Sequence, residues 1–260
     1  MLTLPLELAR AALEADILSL SIRTREVGRV ARSAVLCGGA PRQILSQVRR
    51  SQRDDGGWVD NEDSVWCTAL LVPERPGTPE TAAAVNWLGQ RRVPGGGWGR
   101  NPRDQARIPL TSAALRFVGE CIAQPQDWCC LDALWTADLG MDVQLTYKGG
   151  FYLACQLAGT APTDLVRRTY EYLHSQPNDD GGFGPWRGHS VGSDPWSTGV
   201  CLAGLARFPT LADLNVVTRA VRWLVDTQLP SGYWPYHFID EGTAYAYWGL
   251  SEAKKLLETS

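Results

Sequence analysis

The sequence predicts an all-α protein of about six helical hairpins, with a ring of inner helices inside a ring of outer ones. Three observations predict it. A glutamine, a glycine turn and an aromatic recur in one order four times. Apolar residues before each glutamine fall at helical spacing, and a second run of small and apolar residues follows each turn. The chain has 260 residues, 44% hydrophobic and 20% charged, which suits one sizeable core and not disorder.

The four copies carry the pattern as follows. Ile44 to Gln52 leads to Asp54-Asp55-Gly56-Gly57-Trp58, and Trp87-Leu88-Gly89-Gln90 leads to Gly95-Gly96-Gly97-Trp98. Tyr172 to Gln176 leads to Asp179-Asp180-Gly181-Gly182-Phe183, and Trp223 to Gln228 leads to Gly232-Tyr233-Trp234. The copies recur at about 40–50 residues, with one double-length gap for a degenerate copy around Trp128 and Trp135. Eleven tryptophans are dense for this length, and the repeats account for them.

The hairpins are predicted in order at 5–18 with 23–37, 41–53 with 63–72, 79–91 with 109–122, 127–138 with 145–158, 163–176 with 195–207, and 214–228 with 241–257. Glycine ends each first helix because it tolerates positive φ. Second helices start at acids that suit an N-cap: Asp63-Ser64, Asp194-Pro195 and Asp240-Glu241. First helices read as amphipathic and second helices as buried all round. No linker interrupts the series, so residues 1–260 form a single expected domain. An open solenoid is the alternative to a closed ring.

Net charge is −3 and no basic field is present, so nucleic acid is not an expected partner. No run of about 18 apolar residues exists to make a transmembrane segment. Residues 1–20 carry Glu7, Arg10, Glu14 and Asp16, which fits an amphipathic helix better than a signal peptide. Seven cysteines without a CxxC pair point to free thiols in a cytoplasmic protein, in solution or peripheral to a membrane. Vicinal Cys129-Cys130 read as half-buried helix residues.

From Ile44 to Leu257 the pattern resembles the QW repeats of squalene and oxidosqualene cyclases, class II terpene cyclases and protein prenyltransferase β subunits. That resemblance implies an (α/α)6 toroid with a cavity where the inner helices begin. It also implies that the Gln and Trp residues tie outer helices to neighbouring turns.

Asp60-Asn61-Glu62-Asp63-Ser64-Val65 resembles the DxDD(T/S)A motif of class II cyclases. The resemblance implies that Glu62, in the place of the middle aspartate, is the general acid. Asp60 and Asp63 then support it, and Ser64 takes the threonine's place. Crowded carboxylates cannot all ionise, so one keeps a proton at neutral pH. A helix N-terminus stabilises the anion left after proton transfer. The alternative is a solvated acidic loop with a helix cap.

The second helices also carry Trp66, Tyr147, Phe151, Tyr152, Trp196, Tyr245, Tyr247 and Trp248. The resemblance implies a cavity whose rings stabilise carbocations, each by about 0.5–2 kcal/mol. Trp66, Trp196, Asp194, Tyr245 and Tyr247 are the expected substrate-binding residues, and core packing is the alternative for any one ring. Arg100, Arg103, Arg107, Lys148 and Arg187 are candidates to hold a diphosphate.

No metal site is expected. Asp194 to Leu205 resembles the histidine-bearing helix of the zinc prenyltransferases, but Ser197 stands in the histidine's place. Cys67 alone is not a zinc site. His174 falls in an outer helix, and His189 and His237 in loops. No cofactor is expected, with magnesium entering only if the substrate is a diphosphate.

These observations point to a terpene or meroterpenoid cyclase that protonates a terminal alkene or epoxide of a prenyl chain. The partner is then a prenyl or prenylated small molecule, with a homodimer or a second toroid subunit as further options. The alternative is a non-catalytic α/α-toroid binding module for a prenylated or protein partner.

Overall fold

The structure is a computed structural model that describes residues 2–19, 27–101, 103–157 and 159–259. Among these residues there are twelve α-helices, one short 3-10 turn and no strand. The helices are α1 (Thr3–Ser19), α2 (Val27–Leu36), α3 (Arg42–Arg50), α4 (Asn61–Glu74), α5 (Pro79–Gln90) and α6 (Ile108–Ile122). They continue with α7 (Pro125–Leu139), α8 (Thr146–Cys155), α9 (Asp164–His174), α10 (Pro195–Leu205), α11 (Leu214–Thr227) and α12 (Ile239–Thr259). Each expected helix has a counterpart within a few residues. Residues 23–26 and 158, which two of the expected helices include, lie outside the described residues.

The chain divides into two compact units. One is Glu14–Leu134, and the other joins Met1–Leu13 to Trp135–Ser260. In the first, α4 packs between α2 and α6, with α3 and α5 also against it. In the second, α10 packs between α8 and α12, with α9 and α11 against it. The inner helices are the buried ones: nearly every residue of α10 from Pro195 to Leu205 is buried. The outer helices bury one stripe, as α3 does with Ile44, Leu45 and Val48.

The glycine turn has one construction in all four copies. The N–H of Arg53, Val93, Asn178 and Leu229 donates to the carbonyl of Gly57, Gly97, Gly182 and Tyr233 respectively. The fourth residue of each turn is Gly56, Gly96, Gly181 or Gly232, with φ between +89° and +106°. A side chain there would be strained, and it would also strike the next outer helix. On Gly232 a Cβ would lie 2.4 Å from the Leu8 carbonyl oxygen of α1.

The aromatic that ends each turn is locked at both ends. The indoles of Trp58, Trp98 and Trp234 donate to the carbonyls of Val48, Leu88 and Leu224, each ten residues back, at 3.0, 2.9 and 2.7 Å. Their backbone N–H groups, and that of Phe183, donate to hydroxyls early in the following inner helix: Ser64, Thr111, Thr243 and Thr198. A buried indole N–H left unpaired would cost about 1–3 kcal/mol, so this pairing specifies the turn as well as stabilising it.

The glutamine tie holds in two copies. Gln52 donates to the carbonyls of Gly56 and Glu80, and Gln228 to those of Gly232 and Pro5. The last copy thus uses α1 as its next outer helix. In the second copy Arg92 makes the tie instead, donating to the Ile122 carbonyl and to buried Asp127. The guanidinium fork reaches both acceptors through different nitrogens.

Candidate functional site

The acidic segment forms the first turn of α4. Asp60 has an extended backbone, and its carboxylate accepts the Asp63 N–H at 2.9 Å. The N-cap is therefore Asp60, and the helix starts at Asn61, before the expected start at 63. Ser64 bridges the turn: its Oγ accepts the Trp58 N–H and donates to the Asp60 carbonyl at 2.7 Å. Buried Asn61 reaches out to the next repeat, donating from Nδ2 to the Gly99 carbonyl at 2.6 Å and from its N–H to the Arg100 carbonyl at 3.2 Å. These bonds hold Arg100 over the acidic turn.

Glu62 is an ion-pair partner on both sides. Its Oε2 accepts from Nε and Nη2 of Arg100 at 3.0 and 2.9 Å. Its Oε1 lies 3.6 Å from Nη1 of Arg32, whose side chain is only 6% exposed. Guanidiniums donate and never accept, so a proton on either oxygen would compete with an arginine. Both carboxylate oxygens of Glu62, the acid that the sequence resemblance singled out, thus face arginines.

Asp63 has the opposite surroundings. A Cβ on Gly28 of α2 would lie 1.8 Å from its Oδ1, so the carboxyl rests directly on that helix. Burial chiefly, then the charges of Asp60 and Glu62, push its pKa up to about 7, with Arg32 opposing. The carboxyl can thus keep a proton near neutral pH. One turn further, buried Cys67 has its thiol pushed well up by burial and by the two aspartates. Trp66 lies on the same α4 and is buried, with its ring 5.3 Å from that of Phe117.

The remaining candidates sit in the second unit. Asp194 caps α10, accepting the Ser197 N–H and its hydroxyl, both at 2.7 Å. Burial raises its pKa, while those two hydrogen bonds and the charge of His237 pull it back. The ring of Trp196 lies 4.7 Å from Tyr147, 5.9 Å from Phe151 and 5.6 Å from Tyr245. Its Nε1 is buried and has no acceptor. Tyr247 is two residues beyond Tyr245, about 200° around the helix. It lies under the Arg10 guanidinium at 5.8 Å and not with the Trp196 rings. Helix geometry thus sets Tyr247 apart from Tyr245.

Sequence reasoning missed Gly28 and Arg32. A glycine inside a helix costs about 1 kcal/mol, so Gly28 within Val27–Leu36 was a signal for close packing. Arg32 gave none, because its partner is set by how α2 meets α4.

Most of the cations proposed to hold a diphosphate have acidic neighbours. Arg107 pairs with Asp104 at 2.6 Å, Lys148 with Asp138 at 2.7 Å, and Arg187 with Asp179 at 3.6 Å. Among the described residues no group of three or more His, Cys, Asp and Glu side chains is arranged to hold a metal ion, and no helix is long and apolar enough to cross a membrane.

No family model and no curated protein matches the chain. Solved structures do. The type II terpene cyclase MstE from Scytonema, in its apo form, is 15% identical with a TM-score of 0.74, over 97% of this chain and 98% of that one. A variant of MstE in complex with geranylgeranyl dihydroxybenzoate (substrate) is 14% identical, with the same TM-score and coverage. A protein from Actinoplanes is 17% identical with a TM-score of 0.65, over 88% of this chain and 90% of that one. At these identities the likeness shows the fold alone: an all-α toroid of helical hairpins, as in MstE.

Proposed function

We propose that the protein is a class II-like terpene or meroterpenoid cyclase in which Asp63 supplies the initiating proton. The observation that carries this reading is the Asp63 carboxyl, held against Gly28 and pushed up to about 7 beside two further carboxylates. An acid that is neutral at working pH can give its proton to an alkene carbon. A C–H bond forms, the alkene's π pair is consumed, and a tertiary cation remains. The next double bond attacks it, and loss of a proton or capture of water ends the sequence. The net change is an isomerisation, or a hydration when water is captured.

The neighbours have separate tasks in this scheme. Asp60 caps α4 and fixes the turn. The charge of Glu62, which Arg32 and Arg100 hold in place, favours the protonated form of Asp63. Trp66, one helical turn on, offers a π face to the first cation. Trp196 and Tyr245 offer an aromatic surface to a prenyl or arene group, with Asp194 as a polar contact. The proton step needs no cofactor, and magnesium enters only for a diphosphate substrate.

Fold alone does not decide chemistry. The likeness to MstE adds that an enzyme of that type is built on the same extent of chain. It also names a first substrate to try, the prenylated aromatic acid geranylgeranyl dihydroxybenzoate. The test is a product screen by mass spectrometry with that compound, prenyl diphosphates and free polyprenes. A cyclised product from the parent protein, absent with Asp63→Asn, supports the cyclase. Tight ligand binding without turnover supports the binding module instead.

A further inference from the structure

A second site lies at the other end of α4. Arg42, Ser46 and Arg49, spaced along one face of α3, line a cavity of about 380 Å³ together with Leu45, Glu74 and Arg75. Glu74 lies eleven residues beyond Asp63 on α4, about 16 Å along the axis. Three guanidiniums face one carboxylate there. Among the described residues the side chains of Arg42 and Arg75 have no hydrogen-bond or ion-pair partner. Arg49 reaches Glu80 with Nη2, but its Nε is buried without an acceptor.

Helix electrostatics do not explain this arrangement. Arg49 and Arg50 suit the last turn of α3. Arg42 occupies the first position, where the helix dipole is already positive and Pro41 supplies no side-chain cap. Nine residues of α3 hold three arginines and no acid. A bound anion would answer each mismatch: it would accept from the orphaned Arg49 Nε, from the unpaired forks of Arg42 and Arg75, and from the uncapped first turn.

We infer that this cavity binds a phosphoryl group. Several arginine forks around one pocket favour a multiply charged oxyanion with several acceptor oxygens, which each fork can engage bidentately. A free phosphate ester and a phospholipid head group share that chemistry. The inference is independent of the cyclase reading.

The test uses the full chain and the variant Arg42→Gln/Arg75→Gln, whose side chains are exposed and hold no partner to disturb folding. One arm titrates inorganic pyrophosphate by calorimetry. The other sediments the protein with phosphatidylcholine vesicles, with and without phosphatidic acid. Saturable pyrophosphate binding is expected, weakened about tenfold or more in the double variant, since each lost charge-assisted bond is worth about that much. Vesicle binding that needs phosphatidic acid and is lost in the variant also supports the site and identifies a lipid source. No binding in either arm overturns the proposal. So does an equal loss in Arg168→Gln, an exposed arginine of α9 with no role in any proposed site, because the effect is then general charge.

Discussion

The Asp63 carboxyl rests on the backbone of Gly28, with 1.8 Å between its Oδ1 and the position a Cβ would take there. Only glycine allows this approach. Gly28→Ala is therefore expected to expel the carboxyl toward water or to push α2 from α4. Overpacking of this kind costs about 1–3 kcal/mol. If the carboxyl moves, its pKa falls back toward the ordinary aspartate value. Thermal unfolding and carboxyl NMR titration of the variant check both effects.

The raised pKa of Asp63 makes stability depend on pH with a definite sign. Between about 4, where an unfolded aspartate ionises, and about 7, where the folded one does, the native state holds more protons. Stability therefore falls as pH rises through that window and levels off above it. Asp63→Asn removes the fall. At pH 8 the variant is expected to be more stable than the parent by about 1 kcal/mol, after solvent screening of a half-buried group. At pH 4 the advantage is expected to vanish. Denaturant titrations at the two pH values decide it, and a variant advantage of equal size at both would contradict the assignment.

The two arginines on Glu62 are expected to differ in weight. Arg100 is 62% exposed, so Arg100→Ala should cost about 0.5 kcal/mol or less. Arg32 is buried, so Glu62→Gln, which takes a carboxylate charge from this desolvated cation as well as from Arg100, should cost about 1–3 kcal/mol. Unfolding midpoints for the two variants give the ranking directly.

The repeat turns supply a test of the fold. Trp58→Phe keeps most of the ring but loses the bond to the Val48 carbonyl, for an expected cost of about 1–2 kcal/mol. Gly232→Ala combines a positive φ with a 2.4 Å approach to the Leu8 carbonyl, and should cost more than Trp58→Phe. A silent Gly232→Ala would mean that the turn does not meet α1 as described.

The helices were legible because the repeat marks their ends. Gln52 and Trp58 bracket one glycine turn, Gln228 and Trp234 another, and the hydrogen bonds across them are local. The cap of α4 was less legible. Asp60, Asp63 and Ser64 all suit an N-cap, and backbone geometry alone chooses Asp60. The different surroundings of Glu62 and Asp63 were not legible at all. The two are neighbours in sequence, but α2 covers one while Arg32 and Arg100 take the other, and neither contact leaves a local trace. Tyr247 parts from Tyr245 for a simpler reason: two residues along a helix turn a side chain to the far face.

The central claim is that Asp63 delivers a proton to the substrate, and solvent deuterium tests it most directly. The protein would be equilibrated in D2O and given geranylgeranyl dihydroxybenzoate, with Asp63→Asn and Glu62→Gln in parallel. The account predicts a cyclised product carrying one deuterium on the ring methylene next to its gem-dimethyl carbon. It predicts none from Asp63→Asn, a reduced yield from Glu62→Gln, and activity that declines above about pH 7. Undiminished labelled product from Asp63→Asn would contradict it, as would a Glu62→Gln variant that is inactive while Asp63→Asn turns over.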